Sequence, residues 1–317
     1  MDEWYGNKNV LITGISGFLG SNLARRLQST GANVTGILRD RVSFFKYGNC
    51  NIVSGEIEDL NLLKRVINEY EIEICFHLAA QAIVSLWDNN PVEVFETNIR
   101  GTWNVLEACR LGNKVKAVIV ASSDKAYGEQ ESLPYREDSL LNGIHPYEIS
   151  KICTEYLVKS YNMHYGLPTG ITRCANLYGP GDRNYSRIIP GTIKSILKGE
   201  EPVIRGDGMN LRDYLYIDDA VEGYMRFAQK VYEGELSGET INFGTGQPYT
   251  VKEIVEKIIE LFGVDIKYRI IGRDLSKEIK HQYLDSGKAR KLLGWNPRYS
   301  LSEGLKRSID WYASEIG

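Results

Sequence analysis

The chain has no run of about 20 apolar residues, so it offers no segment able to cross a bilayer as a helix. It has no block of like charge either: 38 Lys and Arg stand against 41 Asp and Glu, a net charge of −3. Nucleic acid or an anionic membrane calls for a basic face that this balance does not supply, so neither is an expected partner. Cysteine is sparse and scattered. Cys50, Cys75, Cys109, Cys153 and Cys174 form no CxxC pair and do not cluster with the four histidines, which argues against zinc spacings and a disulfide framework. No metal site is expected, and reduced thiols suit a cytoplasmic protein. The opening residues Met1-Asp2-Glu3-Trp4 are acidic and lack the apolar core of a signal peptide. Internal repeats and low-complexity tracts are missing too.

What is present is a glycine turn in a telling place. Residues 8–13 carry Val10, Leu11 and Ile12, a buried-strand pattern, and Gly14-Ile15-Ser16-Gly17-Phe18-Leu19-Gly20 follows directly. Leu19, Leu23 and Leu27 then recur at helical spacing into a helix over 21–29. Strand, tight glycine turn and helix make a dinucleotide-binding loop: the glycines admit a pyrophosphate close to the backbone, and the helix start offers free N–H groups. The spacing is GxxGxxG, so the pattern gains its weight from context.

Further strands are expected at 33–38, 51–54, 74–78 and 117–121, with helices from 60 to 70 and over 91–110. Strands alternating with helices predict an α/β fold, a Rossmann-type doubly wound parallel sheet, whose ligands sit beyond the carboxyl ends of the strands. At the end of the second strand, Arg39 suits a 2′-phosphate and leans the cofactor toward NADP, while Asp40 suits a ribose diol and NAD. Glu56 and Ile57 fall where an adenine would lie, and Leu78, Ala79 and Ala80 leave room for a ligand against the backbone.

After the fifth strand the chain reads Ser122-Ser123-Asp124-Lys125. A polar stretch over 129–145 leads to a helix over 147–165, where Tyr147 and Lys151 share one face. An ammonium beside a phenol favours the phenolate, so Lys151 is expected to lower the Tyr147 pKa, with Ser123 sharing a substrate oxygen. The later elements are strands at 170–173, 202–204, 214–217 and 240–243, and helices over 186–198, 251–261, 286–293 and 301–313. They predict a smaller α/β lobe. The boundary falls at 178, with 1–178 binding NAD(P); the resemblance given below implies that 179–317 is mainly a nucleotide-sugar lobe, whose chain crosses back. Asn176 and the arginines Arg187, Arg205, Arg212 and Arg273 suit a sugar diphosphate, because guanidinium forks match phosphate oxygens.

Gly14/Gly17/Gly20, Tyr147/Lys151, the run from Arg173 to Pro180 and Arg212-Asp213-Tyr214 resemble the extended short-chain dehydrogenases/reductases over nearly the whole chain. Ser123-Asp124-Lys125 is similar to the nucleotide-sugar 4,6-dehydratases, and the Asp-Lys pair to CDP-glucose 4,6-dehydratases. Most relatives carry Glu where this chain has Lys125, so the base at C5 does not carry over unchanged. The resemblance implies a redox-neutral lyase that converts an NDP-hexose, CDP-glucose favoured and GDP-mannose next, to the 4-keto-6-deoxy sugar around a tightly bound NAD or NADP. Tyr147 would deprotonate the 4-OH, a protonated Asp124 would donate to the departing 6-OH, and Lys125 would take the C5 proton or orient Asp124. A 4-epimerase, a 5,6-dehydratase, a net reductase and a non-catalytic cofactor-binding protein are the alternatives. Trp103, Leu157 and Val158 on the helices over 91–110 and 147–165 fit a four-helix homodimer interface.

Overall fold

In the computed structural model, residues 1–39, 48–82, 90–272 and 278–316 are described. Asp40 and Arg273 fall outside them.

Seven parallel strands form the main sheet: β1 (Asn9–Thr13), β2 (Asn33–Leu38), β3 (Asn51–Ser54), β4 (Ile74–His77), β5 (Ala117–Ala121), β6 (Thr169–Cys174) and β10 (Thr240–Phe243). Their order is β10-β6-β5-β4-β1-β2-β3. The chain runs outward from β1 through β3, then restarts on the other side of β1 with β4. That reversal opens a crevice at the carboxyl ends of β1 and β4.

Both faces are covered, and the pleat sorts the side chains. Val10, Ile12, Ile74, Phe76 and Ile119 pack with Leu23 and Leu27 of the Phe18–Ser29 helix and Tyr224 and Phe227 of the Ile217–Tyr232 helix. The alternate residues Leu11, Cys75, Val118 and Val120 pack on the other side with Leu63, Val66, Leu106 and Val158. These last come from the Leu60–Glu69, Gly101–Leu111 and Pro146–Tyr165 helices.

A smaller sheet lies beyond the crevice. It holds β7 (Asn176–Tyr178), β9 (Leu211–Tyr216), β11 (Pro248–Thr250) and β13 (His281–Gln282), while β8 (Val203–Ile204) pairs with β12 (Arg269–Ile270). Between these pieces the Ile217–Tyr232 helix and β10 return to the main sheet. Among the described residues no helix is long and apolar enough to cross a membrane.

The helix expected over 91–110 is interrupted. Pro91–Phe95 and Gly101–Leu111 are α-helical, but Glu96–Arg100 forms one π turn. The extra residue per turn changes which carbonyls bond within the helix, and such turns gather at functional sites.

Candidate active site

A cleft of about 1400 Å³ opens where the glycine turn, the ends of β4 and β5, and the smaller sheet meet. Gly14, Gly17, Phe18, Leu19, Gly20, Leu78 and Ala80 line one end; Ser123, Asp124, Lys125, Tyr147 and Lys151 the middle; Asn176, Arg187, Arg205 and Arg212 the other end. Residues more than 190 positions apart in sequence thus share one wall system.

The glycine turn is closed to any side chain. Gly14 has φ +72°, and a Cβ there would sit 2.7 Å from the Ala79 nitrogen. At Gly20 a Cβ would sit 2.1 Å from the Gly14 carbonyl oxygen. Gly17 caps the Phe18–Ser29 helix without a side-chain hydrogen bond, so the first amides face the cleft uncapped. The turn packs too closely on its own backbone to admit a Cβ at Gly14 or Gly20, and its uncapped helix start fits a dinucleotide pyrophosphate.

Four expected cofactor residues do not line this cleft with their side chains. Ile57 is buried in the core, its Cδ1 lying 2.4 Å from where a Cβ on Gly101 would be, so its side chain does not face the cleft. Glu56 and Arg39 are exposed beside β3 and β2 and do not line the cleft. Ala79 does not line the cleft; its N–H donates to the buried Thr13 Oγ1 at 3.2 Å.

The catalytic side chains are held by their own turn. Asp124–Tyr127 is a 3₁₀ turn capped by Ser123, whose Oγ accepts from the Lys125 N–H at 3.2 Å and donates to Asp124 Oδ1 at 3.1 Å. Asp124 is 3% exposed, and its Oδ2 has no hydrogen-bond partner. Burial of that carboxyl pushes its pKa from 3.8 up to about 6, against the opposing pull of Lys125 and the Ser123 hydroxyl. Burial, with the Arg212 charge second, lowers Lys125, while Asp124, Glu148 and Glu278 resist.

Behind this turn lies an ionic anchor. Arg173 donates to both oxygens of Glu155, at 2.8 and 2.5 Å, and to the Tyr127 hydroxyl at 2.7 Å. Glu155 also accepts from Ser122 at 2.6 Å. The turn bearing Asp124 and Lys125 is therefore tied down at both ends.

Tyr147 corrects one expectation. Burial raises its pKa to about 12, with the Ser123 and Arg187 side chains opposing. The Lys151 ammonium lies 5.9 Å from the centre of the Tyr147 ring and donates instead to the Ala121 carbonyl at 2.7 Å. Burial also lowers Lys151 to about 8, with Glu155 opposing.

The π turn contributes a residue the sequence did not single out. Asn98 donates to Ser150 Oγ at 2.9 Å and to the Gln81 carbonyl at 3.2 Å, and accepts from the Gln81 N–H at 2.7 Å. It joins the loop after β4 to the helix that carries Tyr147 and Lys151. At the far end Arg212 donates to the Leu211 and Lys280 carbonyls at 2.9 and 3.1 Å. Asn176 donates to the Asp213 carbonyl at 3.3 Å. Cys174, Tyr185 and Glu278 also line the cleft.

A glycine cradle at the β1–β4 crevice, with a Ser-Tyr-Lys set beside it, defines a dinucleotide-dependent enzyme of the short-chain dehydrogenase/reductase type. Residues 10–244 match the family described as the NAD dependent epimerase/dehydratase family, and the chain belongs to that family. It is 34% identical to CDP-glucose 4,6-dehydratase of Salmonella typhimurium, covering 99% of this chain and 92% of that one. The UDP-glucose 4-epimerase of Thermotoga maritima, solved with UDP-glucose, superposes with a TM-score of 0.90 at 32% identity, covering 98% of this chain and 100% of the other. DesIV, a dTDP-glucose 4,6-dehydratase from Streptomyces venezuelae solved with NAD bound, superposes with a TM-score of 0.86 at 28% identity, covering 97% and 98%. The family is NAD dependent, and the relatives it gathers here include nucleotide-sugar dehydratases and epimerases.

Proposed function

We propose that the chain is a nucleotide-sugar 4,6-dehydratase, with CDP-glucose as the first substrate to test and GDP-mannose the second. The observation that carries this reading is Asp124: a buried carboxyl facing the cleft beside Tyr147, with one oxygen unbonded and a pKa of about 6. Water elimination needs a carboxyl that can still hold its proton near neutral pH, and simple epimerisation at C4 does not.

The residues of the glycine turn, Leu78, Ala80, Tyr147 and Lys151 would hold the nicotinamide cofactor. When bound, it supplies reversible hydride transfer with the sugar and, in its oxidised form, a positive charge that eases ionisation of a phenol. Tyr147 takes the proton of the 4-OH, with Ser123 hydrogen-bonded to the same oxygen. The resulting ketone acidifies the C5 hydrogen. Asp124 then donates its proton to the departing 6-OH, while Lys125, lowered by burial and by Arg212, takes the C5 proton. Asn176, Arg187 and Arg212 bind the diphosphate, and Arg273, outside the described residues, is a further candidate. The cycle is redox-neutral, so the cofactor stays bound.

Incubation with CDP-glucose, GDP-mannose, dTDP-glucose, UDP-glucose and UDP-GlcNAc, followed by mass spectrometry, tests the reading. A product lighter by one water supports it. An isomer of unchanged mass marks an epimerase, and stoichiometric consumption of added NADPH marks a reductase; either refutes it. The same spectrum of cofactor released on denaturation distinguishes NAD from NADP, the choice that Arg39 and Asp40 bear on.

We also propose a homodimer through the paired helices. Ile149, Tyr156 and Met163 recur every seven residues along the Pro146–Tyr165 helix, and Tyr156 and Met163 are 63% and 86% exposed. Trp103 is exposed nearby in sequence register on its own helix, whereas Val158, expected on this face, is buried in the core and Leu157 packs against it. Light scattering of Tyr156→Glu/Met163→Glu is expected to give monomers where the parent chain gives dimers.

A further inference from the structure

The segment between β7 and the Ile188–Leu197 helix is built around one buried acid. Asp182 is 2% exposed. Its Oδ1 accepts from the Asn184 N–H at 3.0 Å, and its Oδ2 accepts from Arg187 Nη1 at 3.0 Å. Its main-chain oxygen accepts the hydroxyl of Tyr312, a fully buried residue of the C-terminal Leu301–Ile316 helix. Arg183 pairs with Glu315 and lies over the Trp311 ring, 5.5 Å from its centre. The loop is thus strapped to the last helix by several contacts.

Arg187 sits in an unfavourable place for helix stability. It is the N-cap residue of the Ile188–Leu197 helix, so its cation stands at the positive end of the dipole, where an anion is favoured. Its side chain stays 43% exposed and lines the cleft, as does the helix's first turn. A cation, a helix start and a buried carboxylate that offsets their mutual repulsion make an arrangement that stability alone does not call for.

We propose that Asp182 is a positioning residue for the substrate diphosphate: it aims the Arg187 guanidinium at the phosphate oxygens, and the C-terminal helix, through Tyr312, holds Asp182 in place. The inference rests on the nucleotide-sugar reading of the cleft. It makes the last helix a structural arm of the substrate site, although the segment it braces lies about 130 residues earlier in sequence.

Calorimetric titration of the full-length protein with CDP, UDP, dTDP and GDP, and with the matching monophosphates, tests it. The parent chain is expected to prefer a diphosphate over its monophosphate. Asp182→Asn and Arg187→Met each weaken diphosphate binding about tenfold, the worth of one charge-assisted contact, and change monophosphate binding less than about twofold. Asp182→Asn added to Arg187→Met costs little more, because both remove one coupled contact. Tyr312→Phe moves the same preference in the same direction by less, and carries the test if Asp182→Asn does not fold. Equal weakening of mono- and diphosphates, or full additivity with Arg187→Met, overturns the role of Asp182 alone. Failure of the parent chain to bind any of the nucleotides overturns the nucleotide-sugar reading with it.

Discussion

Replacing Asp124 by Asn is expected to abolish water elimination and, at neutral pH, to make the protein more stable. The reason is the same for both effects. A carboxylate with one buried oxygen unbonded is held in the fold at a cost. Its pKa rises from 3.8 to about 6 in the folded chain. A raised carboxyl pKa means the native state binds the proton more tightly than the unfolded state, so stability falls as pH rises. Below about pH 4 both states are protonated and the penalty vanishes; it grows as pH rises through about 6 and is complete only above about pH 7, where both are ionised. At 1.36 kcal/mol for each tenfold in proton affinity, the full penalty is about 3 kcal/mol. Asn is nearly isosteric and carries no charge, so the variant escapes it. Thermal melts of both proteins, at one scan rate across about pH 4 to 8, should show curves that coincide at the acid end and separate by several degrees at the alkaline end. A gap that does not change with pH, or a variant less stable than the parent at pH 8, refutes the claim that Asp124 is held by burial as a ready acid. Retained dehydration in the variant refutes its chemical role independently.

Two other perturbations follow from the same geometry. Lys151, lowered from 10.5 to about 8 by burial, loses its ammonium as pH rises through that value, so turnover should fall on the alkaline side near pH 8. Lys151→Arg, which keeps its charge, should move that limb upward while lowering the plateau, and pH–rate profiles check both. Gly20→Ala drives a Cβ to 2.1 Å from the Gly14 carbonyl, backbone that cannot swing aside; cofactor affinity is expected to fall at least about tenfold, read as nicotinamide recovered from purified protein.

Much of the main sheet was legible because its strands are short buried runs with helices of clear period between them. β2, β3, β5 and β10 lie where the apolar runs place them. β12 and β13 were not anticipated: strands of two residues are set by what they pair with, here β8 and β9, not by their own composition. The π turn at Glu96–Arg100 leaves no mark on periodicity over so few residues, and Asn98 gains its reach from that turn. Within the site, Gly14, Ser123, Asp124, Tyr147 and Lys151 were readable from spacing and position. Ile57 was not, since a strand end offers its next residue to either ligand or core, and here Gly101 opens a socket for it in the core. Asp182 stands five residues before Arg187 in sequence, but only the fold brings Tyr312 to it. The i and i+4 spacing places Lys151 on the face of Tyr147, its ammonium 5.9 Å from the ring centre, and only the fold shows the Ala121 carbonyl as that ammonium's acceptor.

The departure at Lys125 bears on how elimination is divided. This chain pairs an acid with an amine, and burial drives both toward their neutral forms, Asp124 upward and Lys125 downward. Their mutual attraction works the other way, favouring the ion pair, and Arg212 tips Lys125 back toward the free amine. A protonated acid next to a free amine and a carboxylate next to an ammonium differ only by one proton moved between neighbours, so neither state changes the net charge of the cleft. In the proposed dehydration, elimination of water would consume the first state and generate the second: the acid would give its proton to oxygen while the amine collects one from carbon. Return of that proton from Lys125 to Asp124 would reset the pair without exchange with bulk water. An acid–acid pair reaches the same end with one more negative charge beside the diphosphate, a charge this cleft does not have to hold.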